Sequence, residues 1–152
     1  MHFRIFWYVK MPIILAQTDT TVGFLSQDSV SLVQVKGRKE GKPFLKVFAS
    51  LSLLQSTVRV PLKYRSWVRH ARQTTFVIKN QAIRYVADST HSRLIQKYGW
   101  LYSTSANESG RDYDKDFCLS HSDTIIEDLR GFNSSTPSKI FKLTSTQFKK
   151  LR

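Results

Sequence analysis

Residues 103–110 read Ser-Thr-Ser-Ala-Asn-Glu-Ser-Gly, directly after the apolar run Trp100-Leu101-Tyr102. The run has the aromatic content of a strand, and Glu108-Ser109-Gly110 supplies turn chemistry. A strand that ends in small hydroxyls and an amide can offer side chains and backbone N–H groups to a phosphate or carboxylate. Read alone, the same residues are a polar loop with an asparagine-capped turn. Their surroundings decide between the two.

Upstream, Thr74–Lys79 and Ala82–Ala87 are β-rich runs separated by the turn-like Asn80-Gln81. Thr90 or Ser92 starts a helix that ends near Tyr98-Gly99. Pro61 suits the first position of a helix whose apolar stripe is Tyr64, Trp67, Val68 and Ala71. The opposite face of that helix carries Lys63, Arg65, Arg69 and Arg72. Further back, Phe44–Phe48 is strand-like, Ser50 or Ser52 caps a short helix through Val58, and Asp28–Val35 is a helix stopped at Gly37. Pro12–Gln17 reads as a buried strand whose end delivers Thr18-Asp19-Thr20 to a site. Downstream, Thr124–Leu129 is expected as a short helix closed by Gly131, and Lys139–Leu143 as the last strand. Strands interleaved with helices predict an α/β fold, a single domain over residues 1–152 with a mixed β-sheet flanked by helices.

Composition narrows the function classes. The 152 residues include 24 lysines and arginines against 11 acids, a net charge of +13. With 41% hydrophobic and 12% aromatic residues the chain is a folded domain rather than a basic tail. Its excess charge asks for an anionic partner. The charge is segregated: residues 29–87 hold twelve basic residues and one acid, residues 108–128 carry a net −5, and residues 139–152 have five basic residues and no acid. The acidic stretch is expected to lie away from the binding cleft. A lone cysteine, Cys118, cannot form an internal disulfide and reads as a small buried hydrophobe, and no His/Cys cluster has zinc spacing, so no metal site is expected. His70, His91 and His121 are expected at the surface or as caps. Lys10 and Pro12 break the apolar N-terminal run, which argues against a membrane span or secretory signal and for a cytoplasmic protein.

Two further constellations flank the hydroxyl-rich stretch. Lys36-Gly37-Arg38, with Lys42-Pro43 shortly after, places three cations around a glycine that permits close backbone approach to phosphates. Thr18-Asp19-Thr20 is by itself only a strand-to-turn junction. Their order and type together resemble the YrdC-like family, the threonylcarbamoyl-adenylate synthases of tRNA modification. The similarity runs from about Ile13 to Arg152 and is most specific over Ser103–Gly110. It implies a twisted sheet with a concave basic cleft. It also implies a threonine pocket at Thr18, Thr20, Thr75 and Arg84, and a catalytic pair in Lys36 and Arg38. Lys42, Ser103, Ser105, Asn107, Ser138 and Arg152 are implied as nucleotide- and phosphate-binding residues. The substrates would be ATP, with Mg2+ carried on its phosphates, L-threonine and bicarbonate.

The sequence departs from the family pattern in places. Gln17 stands where the family has proline, Thr21-Val22-Gly23-Phe24 lacks a tyrosine before the glycine, Lys39 follows Lys-x-Arg in place of proline, and Arg72-Gln73 replaces Gly-Pro. A rival reading is a non-catalytic module for double-stranded RNA or tRNA, with Lys63, Arg65, Arg69 and Arg72 as its contact face. A third is a divergent nucleotide-binding paralogue. tRNA-modification proteins are implied partners in the first reading, and threonine dependence separates it from the third.

Overall fold

The computed structural model describes residues 10–39 and 41–152. The apolar run 1–9 and Glu40 lie outside them, and with them most of the stretch on which the secretory and membrane-span expectations rest. Among the described residues no helix is long and apolar enough to cross a membrane.

Among the described residues nine strands form one sheet: β1 (Ile14–Gln17), β2 (Val22–Ser26), β3 (Leu45–Phe48), β4 (Thr74–Ile78), β5 (Gln81–Tyr85), β6 (Trp100–Ser105), β7 (Thr124–Ile126), β8 (Lys139–Leu143) and β9 (Phe148–Lys150). Their order is β7-β1-β2-β6-β3-β5-β4-β8-β9. The sheet is mixed, with parallel pairs β1/β7, β3/β5 and β4/β8 among antiparallel neighbours. The described residues also form five α-helices: α1 (Ser29–Lys36), α2 (Leu51–Thr57), α3 (Arg65–His70), α4 (Thr90–Tyr98) and α5 (Lys115–Ser120).

Local chemistry explains the helix starts. Asp28 accepts from the Val30 and Ser31 N–H groups, Ser50 from Leu53, and Ser89 and Ser92 form a reciprocal capping box on α4. Pro61 precedes a single 3-10 turn, Leu62–Tyr64, so the expected helix there is split in two. Lys79 and Asn80 both have positive φ, 47° and 64°, so the β4–β5 hairpin turns one residue earlier than Asn80-Gln81.

Four elements differ from the sequence reading. Thr124–Leu129 is no helix: its β-branched start pairs in parallel with β1, Ile14 opposite Thr124. Strand β2 lacks alternation because all five of its residues are buried. Helix α5 is hidden in the acidic block, where Asp114 caps it by accepting from Phe117 N–H. Lys139–Leu143 is followed by β9, so it is not the last strand.

Strand alternation sorts the sheet into two faces. One presents Phe48, Phe76 and Ile83 to α2 and α3, and Val22 and Phe24 to Leu32 of α1 and Phe117 and Cys118 of α5. The other presents Leu25, Val47 and Leu101 to Ile95 of α4. Helix α4 covers only part of that second face. The uncovered remainder is a cavity.

Cys118 is fully buried, as expected, whereas His91 is a correction: it is 2% exposed in α4, and among the described residues neither ring nitrogen has a partner. Burial pushes its pKa from 6.5 to about 4, the Arg84 and Arg130 charges adding to the effect and Asp19 opposing it. The unfolded chain therefore binds a proton that the folded one refuses between pH 6.5 and 4, and stability is lost as pH falls through that window. His91→Phe is expected to flatten the drop in unfolding midpoint between pH 6.5 and 4. Parallel curves for variant and parent would contradict this.

Candidate functional site

The cavity has a volume of about 470 Å³. Thr18, Thr20, Arg38, Thr75, Arg84, Ser103, Ser105, Asn107, Ser138 and Arg152 all line it, so nearly every motif residue read from the sequence converges there. Lys36 and Lys42 are the exceptions.

Lys36 is the last helical residue of α1, and Gly37 then turns left-handed at φ 58°. That reversal sends the neighbouring cations apart. Lys36 runs beneath the hydroxyl-rich loop, 4% exposed, and its Nζ donates to Ser105 O and Asn107 Oδ1, both at 2.8 Å. Ser105 Oγ donates to the same Asn107 Oδ1 at 2.6 Å, while Ser109 N–H donates to Lys36 O at 2.9 Å. Burial and then the Arg38 charge push the Lys36 pKa down to about 8. This ammonium fixes the loop rather than facing the cavity.

Arg38 does face it. One guanidinium nitrogen donates to Lys42 O at 2.6 Å and Pro43 O at 3.3 Å, and the group lies 3.8 Å over the Phe44 ring. Its Nε is buried and has no hydrogen-bond partner among the described residues. A planar cation clamped by backbone and ring, with an N–H unused, is suited to an anion. Lys42 contributes its carbonyl to this clamp and lines a second cavity, which shares Pro43, Phe44 and Ala82 with the first.

The opposite wall is a chain of polar groups. Arg84, 5% exposed, donates to Asp19 Oδ1 and to Thr75 Oγ1, both at 2.8 Å. Thr75 Oγ1 lies 3.1 Å from Ser138 Oγ, and Arg152 Nε donates to Ser138 O at 3.1 Å. Burial holds the Arg84 pKa down and Asp19 opposes it. Asp19, a plain junction residue in the sequence, is the counter-ion of this wall. Its position between two site threonines was the only signal.

Thr18 serves the turn more than the cavity. Its hydroxyl donates to Thr21 O at 2.6 Å and accepts from the Thr20 and Thr21 N–H groups at 3.2 Å. The turn packs on Gly23, where a Cβ would stand 2.9 Å from Thr18 Cγ2 and 3.0 Å from Thr104 O, so the strand needs glycine here.

The segment after β7, residues 128–135, closes the rim. Arg130, paired with Asp128 at 2.6 Å, donates to Thr18 O at 3.1 Å and Gln17 O at 3.0 Å. Asn133 N–H donates to Gln17 Oε1 at 2.8 Å, and Ser135 Oγ donates to Thr20 O. Gln17, in place of proline, thus anchors the segment. Gln73, the other replaced proline, has φ 47° and donates from Nε2 to Asp19 O at 2.9 Å.

The acidic stretch is not clear of the cavity, since Arg111, Asp112 and Tyr113 line it. The basic helix face stays outside. Lys63 donates to Thr146 O, Arg65 to Val60 O at 3.3 Å and Arg72 to Ala87 O at 3.3 Å, so three of its four cations are turned onto the protein's own backbone. Among the described residues no group of three or more His, Cys, Asp or Glu side chains could hold a metal ion.

No protein-family model matches the sequence, and no curated protein matches it. Solved structures do. A variant of P. abyssi Sua5 superposes with TM-score 0.78 at 19% identity over 93% of this chain and 49% of that one. P. abyssi Sua5 complexed with L-threonine gives TM-score 0.76 at 18% identity over 93% and 50%. E. coli YciO gives TM-score 0.72 at 18% identity over 93% and 82%. The chain thus has the fold that the YrdC-like resemblance implies, and it spans about half the length of the Sua5 chains, 49% and 50%.

Proposed function

We propose that this chain makes threonylcarbamoyl-adenylate and pyrophosphate from ATP, L-threonine and bicarbonate, for the threonylcarbamoyl modification of tRNA. One observation carries the reading: motif residues from β4, β5, β6, the Thr18–Thr21 turn and the loop after α1 line one cavity of about 470 Å³. The similar Sua5 structure with L-threonine supports it.

In this reading the threonine amine attacks CO2 derived from bicarbonate, loses a proton and becomes an N-carboxylate. A carboxylate oxygen then attacks the ATP α-phosphorus as its bond to the bridging oxygen breaks, and pyrophosphate leaves with the electron pair. Several anions must be held together, so the protein's work is positioning and charge neutralisation. Arg38 takes the phosphates, with Ser103, Ser105, Asn107, Ser138 and Arg152 as neutral and cationic donors around them. Thr20, Thr75 and Arg84 receive threonine. Lys36 positions Ser105 and Asn107. Magnesium enters on the nucleotide, coordinated mainly by phosphates and water.

Purified protein given ATP, bicarbonate and magnesium is expected to release pyrophosphate only when L-threonine is added. Release without threonine, or none with it, would overturn the assignment.

A further inference from the structure

The second cavity, about 350 Å³, lies on the other face of the sheet. Register fixes this: Leu45 and Ser103 pair and face the first cavity, whereas the next pair, Lys46 and Tyr102, points the opposite way. There α1 and α2 leave β3 and β6 uncovered. Ser29 and Val33 of α1, Thr57 of α2 and the Asn80-Gln81 end of the hairpin form the sides.

The chemistry of the lining is one-signed. Lys42 and Lys46 are both lining residues, and the described lining residues include no carboxylate. Among the described residues neither ammonium has a hydrogen-bond or ion-pair partner. Lys46 Nζ is nevertheless held in place, 3.8 Å from the Trp100 ring centre and within 5.7 and 5.9 Å of Phe48 and Tyr102. Ring faces orient a cation without neutralising it. Burial lowers the Lys46 pKa, as expected for a partly desolvated charge without a counter-ion. Beside the two lysines stand the Phe44 and Tyr102 rings and the Asn80 and Gln81 amides. Ammonium for phosphate, ring for base face and amide for base edge are the components of single-nucleotide recognition.

We propose that this reverse-face cavity binds one nucleotide unit, its phosphate on Lys42 and Lys46 and its base against Tyr102. The site does not depend on the synthase reading. The unit could be a free 5′-mononucleotide or an unpaired nucleotide of an RNA strand, which share this chemistry.

Photo-crosslinking of the unmodified full chain separates the sources and the sites. One arm uses azido-substituted AMP, the other an eight-nucleotide single-stranded RNA containing 4-thiouridine, both at low salt because phosphate contacts weaken with ionic strength. Label on Tyr102, Lys42, Lys46 or residues 80–81, which line the second cavity and not the first, is expected, from AMP alone for a free nucleotide and from RNA for a strand. Label confined to residues 18–22, 43–45 and 103–113, or none, overturns the site. Lys46→Gln, which keeps most of the stem but removes the charge, is expected to weaken binding of the labelling probe at least tenfold with near-ultraviolet circular dichroism unchanged. Unchanged affinity in a folded Lys46→Gln protein would overturn it as well.

Discussion

Arg84→Ala is expected to destabilise the fold by about 3 kcal/mol and to abolish threonine-dependent pyrophosphate release. Arg84 is 5% exposed, and its two terminal nitrogens join elements far apart in the chain, Asp19 after β1 and Thr75 in β4. Removing one partner of a buried pair costs ~3–5 kcal/mol, because the remaining charge stays desolvated and alone. The Asp19 side chain keeps 17% exposure, which admits some water and sets the lower end of that range. The loss extends further, since Thr75 Oγ1 also holds Ser138 and, through it, Arg152. Denaturant midpoints at constant m-value measure the effect. A second variant separates charge imbalance from lost packing: Asp19→Asn combined with Arg84→Met is expected to recover stability over Arg84→Ala while remaining inactive. A loss below about 1 kcal/mol in Arg84→Ala would mean that the pair is not buried in solution.

Legibility followed the range of the interactions. The hydroxyl-rich end of β6 and the Gly37 stop rest on contacts within a few residues, and the sequence displays them directly, whereas Asp28 reads as the first helical residue and is the cap, and Ser50 is the cap of the pair Ser50 and Ser52. Thr75 and Arg84 were found only through their likeness to a family pattern, since nothing local distinguishes a strand arginine that is buried and paired. Strand β7 was misread because its pairing partner, β1, lies more than a hundred residues away, and a short run containing Ile125 and Ile126 fits helix or strand equally well until that partner is known. Arg130 escaped for the same reason: its guanidinium meets Thr18 O across 112 residues. Gln17 and Gln73 depart from the prolines of the family pattern that the sequence resembles. Each glutamine instead makes a side-chain hydrogen bond that ties the Thr18–Thr21 region to a neighbouring segment, so the site's frame is maintained by different means.

Arg38→Ala is expected to reduce ATP affinity by about 100-fold, and Arg93→Ala, exposed on α4, to leave it unchanged. The magnitude follows from what the group loses. Charge-assisted hydrogen bonds contribute ~1.5–3 kcal/mol each, and 100-fold is about 2.7 kcal/mol. Arg38 is pre-positioned by Lys42 O, Pro43 O and the Phe44 face, so little ordering entropy offsets its bonds to phosphate. Arg38→Lys discriminates charge from geometry: an ammonium restores the field but neither stacks flat on Phe44 nor spans both carbonyls, and it should recover only part of the loss. The same substitution reports on Lys36, whose pKa is lowered in part by Arg38. With Arg38→Ala that pressure is removed, so Lys36 should titrate above about 8 while its bonds to Ser105 and Asn107 persist. Isothermal titration with ATP, and the pH dependence of the Lys36 side-chain resonance, measure the two effects separately. Equal ATP affinities for Arg38→Ala and Arg93→Ala would move the nucleotide out of this cavity. A large affinity loss with an unmoved Lys36 resonance would keep ATP there but make burial alone responsible for the lysine's low pKa.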